Sequence, residues 1–385
     1  MIRYLEAGES HGKGLVAIVE GLPAGIPVDL ELINTQLARR QGGHGRGGRM
    51  KIEKDRVEIL TGVLDCKTLG SPVTLMISNR DWANWERIMS AEAGAAVEER
   101  VVTLPRPGHA DLTGGIKYGQ QDLRNILERA SARETAIRVA VGALAKNVLR
   151  QFGVTLWGHV VRIGEIADQP DYTKLGDALY DTAVYCTDSA ASEAMVRRID
   201  EAKSQGDTLG GVVEVVVQGL PLGIGSYVHY DRKLDGRLAQ AVMSIQAFKG
   251  VEIGLGFGAA QVPGSQAHDE IFYEADRGFY HKTNRCGGLE GSMTNGEPVV
   301  VRGAMKPIPT LYQPLHSADF LTHEAGLASV ERSDACAVPA AAVVMQNAVA
   351  WTVLESFLEK FGGDTLAEVA RNYQGYLDAV KAVMQ

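Results

Sequence analysis

A chain of 385 residues with 45% hydrophobic and 22% charged side chains has an ordinary globular composition, which excludes disordered and fibrous classes and provides for a large core. Its formal net charge of -8 argues against a nucleic-acid binder built on a broad basic face, so any local basic cluster needs its own explanation. Cys66, Cys186, Cys286 and Cys336 lie far apart, with no C-x-x-C pair and no histidine spaced to complete a zinc site, which predicts reduced thiols and no metal. Neither a signal-peptide run nor an uninterrupted apolar span of membrane length occurs, so a cytoplasmic protein without membrane contact is expected.

Residues 2–6 and 15–20 read as short strands on either side of a glycine-bounded loop, GESHGKG at 8–14. The loop sets His11 beside Ser10 and Lys13 and has the composition of a phosphate-wrapping turn without the P-loop order. A lone histidine in a turn is more often a bystander than a catalyst. A helix capped by Asp29 follows and runs out into Arg39, Arg40, Arg46, Arg49 and Lys51, interleaved with glycines and with no acid between Glu31 and Glu53. This run is open to three readings: a mobile solvated loop, an RGG-like nucleic-acid segment, or a loop closing over a small polyanion. It is short, has no aromatic residue for base stacking and sits between a helix and a strand, which favours the polyanion; guanidinium forks fit phosphate and carboxylate while the glycines supply flexibility. Strands are expected at 56–61 and 72–78, then an exposed aromatic turn from Asp81 to Trp85, and no chemistry at 90–103.

The stretch from Arg106 to Gly153 carries the strongest local signal. His109 lies in a loop of small residues, where a ligand can approach the backbone, and Arg129, Ser131 and Arg133 lead into a long helix that is apolar on nearly every face from Ala136. Ser131 and Glu134 have capping-box spacing, which predicts the helix start near Ser131, and Gly153 is placed to end it. Arg129, Arg133 and Arg138 beside a helix N-terminus make an anion site or merely a solvated cap; spacing leaves the two even, and His109 upstream tilts the balance to the anion site.

Strands follow at 155–163 and 211–218, with a polar helix near 192–204 and a surface stretch at 167–190. VAIVEGLPAGI at 16–26 is echoed by VEVVVQGLPLGI at 213–224, each a strand leading through G-L-P-x-G-I into a helix, which predicts two related units in one pseudo-symmetric domain spanning 1–385. GLGFG at 254–258 is a weak dinucleotide signal, because Pro263 and Gly264 break the helix that should follow. A polar glycine-rich loop at 282–292, a strand at 298–304 and the rigid KPIPT at 306–310 come next. Arg332 and Asp334 then precede Pro339 and a long apolar helix ending at Gly362, and Thr365 with Glu368 caps the last helix.

GESHGKGL at 8–15, RRQGGHGRGGRM at 39–50, RPGHAD at 106–111, RASARETA at 129–136 and RSDAC at 332–336 resemble, in order, the blocks of the chorismate synthase family. The resemblance implies an α+β fold, a β-α-β sandwich with antiparallel sheets around central helices, assembled as a homotetramer. It implies a lyase of the shikimate pathway that eliminates phosphate from 5-enolpyruvylshikimate 3-phosphate, in an anti 1,4 sense, to give chorismate. Reduced FMN is the implied cofactor, without net redox. NADPH enters only indirectly, to reduce the flavin, through the chain itself or an external flavin reductase. His11, His109 and Asp334 are the implied catalytic residues: His11 at the substrate phosphate, His109 at the flavin pyrimidine edge and Asp334 near flavin N5. Ser10, Arg40, Arg46, Arg49 and Arg133 are expected to bind substrate. His109, Arg129, Ala130, Ser131, Gln246, Ala247, Gly291, Lys306, Pro307, Ile308, Pro309, Thr310 and Arg332 are expected to bind the cofactor. Ala130 and Gln246 depart from the Ser and Asn of other members. A net flavin or nicotinamide oxidoreductase and an RNA-binding module rank behind this reading.

Overall fold

The computed structural model describes residues 2–48, 54–331 and 333–384; Arg49 and Arg332 lie outside them. The first half runs β1 (Arg3–Ala7), β2 (Gly14–Glu20), α1 (Leu30–Gln41), β3 (Glu58–Thr61) and β4 (Val73–Ser78), then α2 (Asp111–Tyr118), α3 (Arg124–Ala130) and α4 (Thr135–Arg150). The second runs β5 (Thr155–Ile163), α5 (Ser189–Ser204), β6 (Gly211–Gln218), α6 (Leu234–Met243), β7 (Phe248–Ile253), β8 (Val299–Met305), α7 (Val338–Phe361) and α8 (Leu366–Met384). The first sheet has the order β1-β2-β4-β3; the second has β5-β6-β8-β7, with the two-residue strand Ile166–Ala167 on the outer side of β5. Every pairing in both sheets is antiparallel.

The alternation of apolar residues aims one face of each sheet inward. Leu15, Ala17 and Val19 of β2, Val73, Leu75 and Ile77 of β4, and Val213, Val215 and Val217 of β6 are buried, and all join one hydrophobic cluster with α4 and α7. The result is the α+β sandwich with central helices. α7 is long and apolar enough to cross a membrane on composition alone, but most of that span is buried in the core.

The echo in the sequence is an echo in space. After β2, Gly21 and Gly25 take φ values of 82° and 82°; after β6, Gly219 and Gly223 take 83° and 79°, left-handed values that glycine adopts without steric cost. In the first turn the Ile26 N–H donates to Thr68 Oγ1 (2.9 Å), which donates to the Pro23 carbonyl (2.6 Å). In the second, the Ile224 N–H donates to Thr294 Oγ1 (2.8 Å), which donates to the Pro221 carbonyl (2.6 Å). Strand order matches too: β1, β2, β3 and β4 correspond to β5, β6, β7 and β8, and α4 after the first sheet corresponds to α7 after the second.

Several local expectations change. α4 begins at Thr135, because Ser131 caps a 3-10 turn (residues 132–134) through the Arg133 N–H (3.3 Å), and Glu134 turns toward Gln246 instead of back to the cap. Gly153 is left-handed (φ 76°) but sits two residues past the helix's last cap residue, Gln151. α5 starts three residues earlier than expected, capped by Asp188. The stretch 167–190 is not all surface, since Val184, Tyr185 and Cys186 join the core. The Thr365–Glu368 capping box forms as drawn, with reciprocal bonds of 3.3 and 3.0 Å.

The central helices cross closely at Gly142: a Cβ there would come within 2.2 Å of the Asn347 carbonyl oxygen of α7. Alanine at this position gains about 1 kcal/mol of helix propensity but overpacks the crossing, which costs about 1–3 kcal/mol and more where backbone must move. Gly142→Ala is therefore expected to lower the urea midpoint at unchanged m-value; an unchanged or raised midpoint would refute the crossing.

Candidate active site

At one end of the sandwich a cleft of about 1050 Å³ opens between the two halves. The entrances of both central helices form its floor, through Ser131 to Thr135 ahead of α4 and Asp334 to Ala341 at α7. Each entrance presents unpaired N–H groups and the positive end of a helix dipole, so two positive ends address one space. The β1–β2 loop brings Ser10 and His11, the loop after α1 brings Arg46 to Gly48, the segment before α2 brings Arg106 and Gly108 to Ala110, and the second half adds Ile245 to Ala247, Lys306 and Ile308 to Thr310.

Each histidine is held by a buried carboxylate that sequence reasoning did not name. His11 Nδ1 lies 2.8 Å from Glu128 Oε1, while its backbone N–H donates to Glu128 Oε2 (2.8 Å). His109 Nδ1 lies 2.6 Å from Asp111 Oδ1. Burial alone would raise both carboxyl groups, but hydrogen bonds and charge from His11 and Arg124 hold Glu128 below the usual range, and those from His109 and Arg106 do the same for Asp111. An ionised carboxylate only accepts, so both Nδ1 atoms carry hydrogen and Nε2 is the nitrogen left for a ligand. Arg106 grips the same carboxylate through Nε (2.8 Å) and Nη2 (3.1 Å), so its 3.0 Å approach to His109 Nδ1 is a contact between two donors sharing an acceptor.

Trp85 completes the His11 pocket. Its ring stacks on the imidazole, with centroids 3.9 Å apart and planes 20° from parallel, and the Arg100 and Arg124 guanidinium carbons lie 5.1 and 5.3 Å from its centroid. The 81–85 turn is thus not an exposed aromatic turn at its end, since Trp85 is buried, and Arg100 brings the 90–103 segment into the cleft wall.

The arginines divide by role. Arg133 is buried, with Nη1 on Asp55 (2.7 Å to each oxygen) and Nε and Nη2 on Asn79 Oδ1 (3.0 and 2.8 Å). Asn79 in turn donates to the Gly12 carbonyl (2.6 Å), so Arg133 braces the His11 loop from below. Arg40 donates to Thr135 Oγ1 (3.0 Å) and the Ala132 carbonyl (2.9 Å), and its Nη1 is buried 3.6 Å from Asp55 without a hydrogen bond. Burial pushes Arg40 down to about 10 although Asp55 opposes it, which leaves it charged at neutral pH. Arg46 pairs with Asp334 Oδ2 (2.7 Å), whose Oδ1 accepts the Gly47 N–H (2.6 Å). That contact ties the first half to the α7 entrance. Arg39 points elsewhere, pairing with Asp177 (2.6 Å) over the Tyr180 ring.

The glycines of this loop serve close approach where flexibility was expected. A Cβ on Gly42 would meet the Tyr185 hydroxyl at 2.4 Å, on Gly43 the Pro339 side chain at 2.5 Å, and on Gly47 the Ser333 carbonyl at 2.7 Å. Backbone bonds from His44 N–H to the Ala183 carbonyl (2.7 Å) and from Ala335 N–H to the Gly45 carbonyl (2.9 Å) fix the described part of the loop over α7.

Of the residues assigned to the cofactor, His109, Ala130, Ser131, Gln246, Ala247, Lys306, Ile308, Pro309 and Thr310 line the cleft. Ser131 Oγ donates to Ser10 Oγ (3.2 Å), Thr310 Oγ1 accepts from Arg106 (2.9 Å), and Lys306 donates through Nζ to the Gly108 carbonyl. Burial, then the neighbouring Lys249, hold the Lys306 ammonium below its ordinary range. Pro307 does not line the cleft. Arg129 is directed to the Gly8 carbonyl (3.1 Å) and Glu6 (3.6 Å), outside the lining. Gly291 lies away from it, in the turn of the 289–294 hairpin near Tyr227. Among the described residues no cluster of three or more His, Cys, Asp or Glu is placed to hold a metal ion.

Residues 2–358 match the family model described as chorismate synthase. The chorismate synthase of Desulforamulus reducens is 59% identical over 387 residues, covering 100% of both chains, and that of Moorella thermoacetica is 61% identical over 98% of both. A crystal structure of chorismate synthase aligns over 99% of this chain and 98% of its own at 44% identity, with a TM-score of 0.80. On these likenesses and this fold, the chain belongs to the chorismate synthase family of carbon–oxygen lyases.

Proposed function

We propose that this chain converts 5-enolpyruvylshikimate 3-phosphate to chorismate by anti 1,4-elimination of phosphate, with reduced FMN as a cofactor that undergoes no net redox change. The observation that carries the reading is the pair of imidazoles, each with Nδ1 locked on a buried carboxylate, in one cleft floored by two helix entrances. The substrate bears a phosphate and two carboxylates, and guanidinium groups with helix N–H donors are the complement such a ligand needs. Arg40, whose Nη1 is near Asp55 but makes no hydrogen bond, and Arg46 would hold these anions beside Ser10, whereas Arg133 acts through Asn79 as a brace.

The cleft residues fit a flavin nucleotide. About 1050 Å³ exceeds the upper end, about 1,000 Å³, of a pocket for one drug-sized ligand, which gives room for cofactor and substrate together. Gln246 Oε1 is buried without a donor, and Lys306 with Lys249 offers two ammonium groups for a phosphate. His109, Ala130, Ser131, Gln246, Ala247, Lys306, Ile308, Pro309 and Thr310 would hold the nucleotide. When bound, reduced FMN would supply electron density that promotes C–O cleavage and is returned afterwards.

The chain's own work is proton placement and charge stabilisation. His11, with Nε2 open and Glu128 stabilising its imidazolium, is the proton donor to the departing phosphate. His109, fixed by Asp111 and Arg106, stabilises charge at the flavin edge. Asp334, positioned at the α7 entrance by Arg46 and the Gly47 N–H, is the group that accepts the ring proton in this reading. Trp85 and the two loops exclude water on the His11 side.

A homotetramer belongs to the same proposal. On the outer face of the first sheet, Leu5 and Ile18 sit directly opposite each other and are 71% and 46% exposed, and Tyr227, Val228, Tyr230 and Phe257 expose further apolar surface. Sedimentation equilibrium is expected to give four chains per particle; a monomer at micromolar concentration would refute it.

An anaerobic assay with prereduced FMN and the enolpyruvyl substrate is expected to yield chorismate without steady NAD(P)H consumption. His11→Ala and His109→Ala should each lower kcat by about 10²–10⁴-fold while the fold persists, and Glu128→Gln and Asp111→Asn should lower it less, with KM little changed. Because both carboxyl groups are depressed, the stability they lend is present above their unfolded values of about 4 and is lost only as pH falls through the folded values. The stability these two carboxylates lend, read as the urea midpoint, should therefore show no pH dependence between neutral and mildly alkaline conditions. Normal turnover in both histidine variants, or substrate-dependent NAD(P)H oxidation in steady state, would contradict the assignment.

A further inference from the structure

Behind the wall formed by Gln246, two carboxyl groups from distant parts of the chain meet. Glu134, at the entrance of α4, is buried; its Oε1 accepts from Gln246 Nε2 (2.5 Å) and its Oε2 is buried without a donor. Glu6 on β1 also has a buried Oε2 without a donor, and its carboxyl group lies within interaction reach of the Glu134 carboxyl group. A carboxyl–carboxyl contact is a hydrogen bond only when one of the pair carries a proton.

The surrounding charges do not provide that donor. Arg129, at the end of α3, approaches Glu6 to 3.6 Å and spends Nη1 on the Gly8 carbonyl (3.1 Å). Arg138, on α4, lies 3.8 Å from Glu134 Oε1 and spends Nη1 and Nη2 on the Ser244 carbonyl (3.1 Å) and hydroxyl (2.6 Å). Both approaches are too long for hydrogen bonds. Tyr4, the neighbouring residue on β1 that faces this group, bonds to Arg138. Gln246 Oε1 is itself buried and unpaired, so its amide orientation is set only through Glu134.

We propose that Glu6 and Glu134 share one proton and act as a positioning pair for Gln246: the proton joins the two carboxyl groups, keeps Glu134 Oε1 an acceptor, and so fixes the Gln246 amide with its N–H toward Glu134. The consequence for catalysis rests on the reading that Gln246 contacts the flavin; the proton itself does not. Burial first, then the charge of Glu134, pushes Glu6 up to about 7. A raised carboxyl value means the joined state is intact below that pH and lost above it, where two carboxylates repel and Gln246 loses its fixed partner.

The test uses the ligand-free, full-length protein. Infrared spectroscopy is expected to show a protonated-carboxyl C=O stretch that disappears as pH rises through about 7, and the Gln246 side-chain amide NMR resonance is expected to shift with the same midpoint. In Glu6→Gln the new amide donates to Glu134 permanently, so the band is absent and the Gln246 resonance no longer moves with pH. In Glu134→Gln, the second variant, only burial still raises Glu6, so the band's midpoint falls below that of the wild type. The proposal is overturned if no carboxyl band titrates in this range, if the wild-type Gln246 resonance is pH-independent, or if Glu6→Gln leaves either titration in place. Failure of the chain to bind FMN would refute the cofactor reading and leave the shared proton standing, because neither spectrum requires flavin.

Discussion

The site depends on the close crossing of α4 and α7 at Gly142. Where one helix has no side chain against the backbone of the other, two long buried helices can run together and open their N-termini into one cleft. Each end contributes about 0.3–2 kcal/mol toward a nearby anion, depending on burial, and the two add to guanidinium groups that the flanking loops bring in. An otherwise acidic chain acquires a positive interior in this way. Its acids near the cleft are largely committed to partners: Asp55 to Arg133, Asp111 to Arg106 and His109, and Glu128 to Arg124 and His11.

Those commitments also explain how the site is kept in shape before any ligand arrives. A buried ion pair adds little net stability, since desolvation offsets most of its attraction, but losing one partner strands the other. The pairs therefore serve geometry: Arg133, through Asn79, sets the height of the His11 loop, and Arg124 connects Glu128 to Glu331 (2.9 Å) on the opposite wall. The Arg46–Asp334 contact joins the two pseudo-equivalent halves across the cleft itself. The two halves repeat one arrangement of sheet and helix, and the cleft opens where they face each other.

Much of the fold was legible in local pattern. Period-two alternation marked the strands, Asp29 marked the start of α1, and the repeated G-L-P-x-G-I turn announced the pseudo-symmetry. What sequence could not show were pairings between distant positions. Thr68 and Thr294, which lock the two turns, carry no motif, and Glu128 is 117 residues from the histidine it holds. The same limit applies to Trp85, which read as the end of an exposed aromatic turn although its ring closes on His11. Asp111 was the most accessible of the missed residues, because it stands two positions from His109 in the RPGHAD block. The glycines among the arginines were misjudged for a related reason: composition alone does not distinguish freedom from close packing, and here Pro339 and Tyr185 stand against them.

The central claim is that two helix entrances, Arg40, Arg46 and two carboxylate-held imidazoles address one bound polyanion beside a flavin. The most direct measurement is a crystal structure with both FMN and the enolpyruvyl substrate bound. The account predicts the substrate phosphate within hydrogen-bond distance of His11 Nε2 and of a guanidinium from Arg40 or Arg46, with His109 against the flavin. A substrate phosphate bound away from His11, or a flavin outside the cleft lined by Gln246 and Lys306, would contradict it.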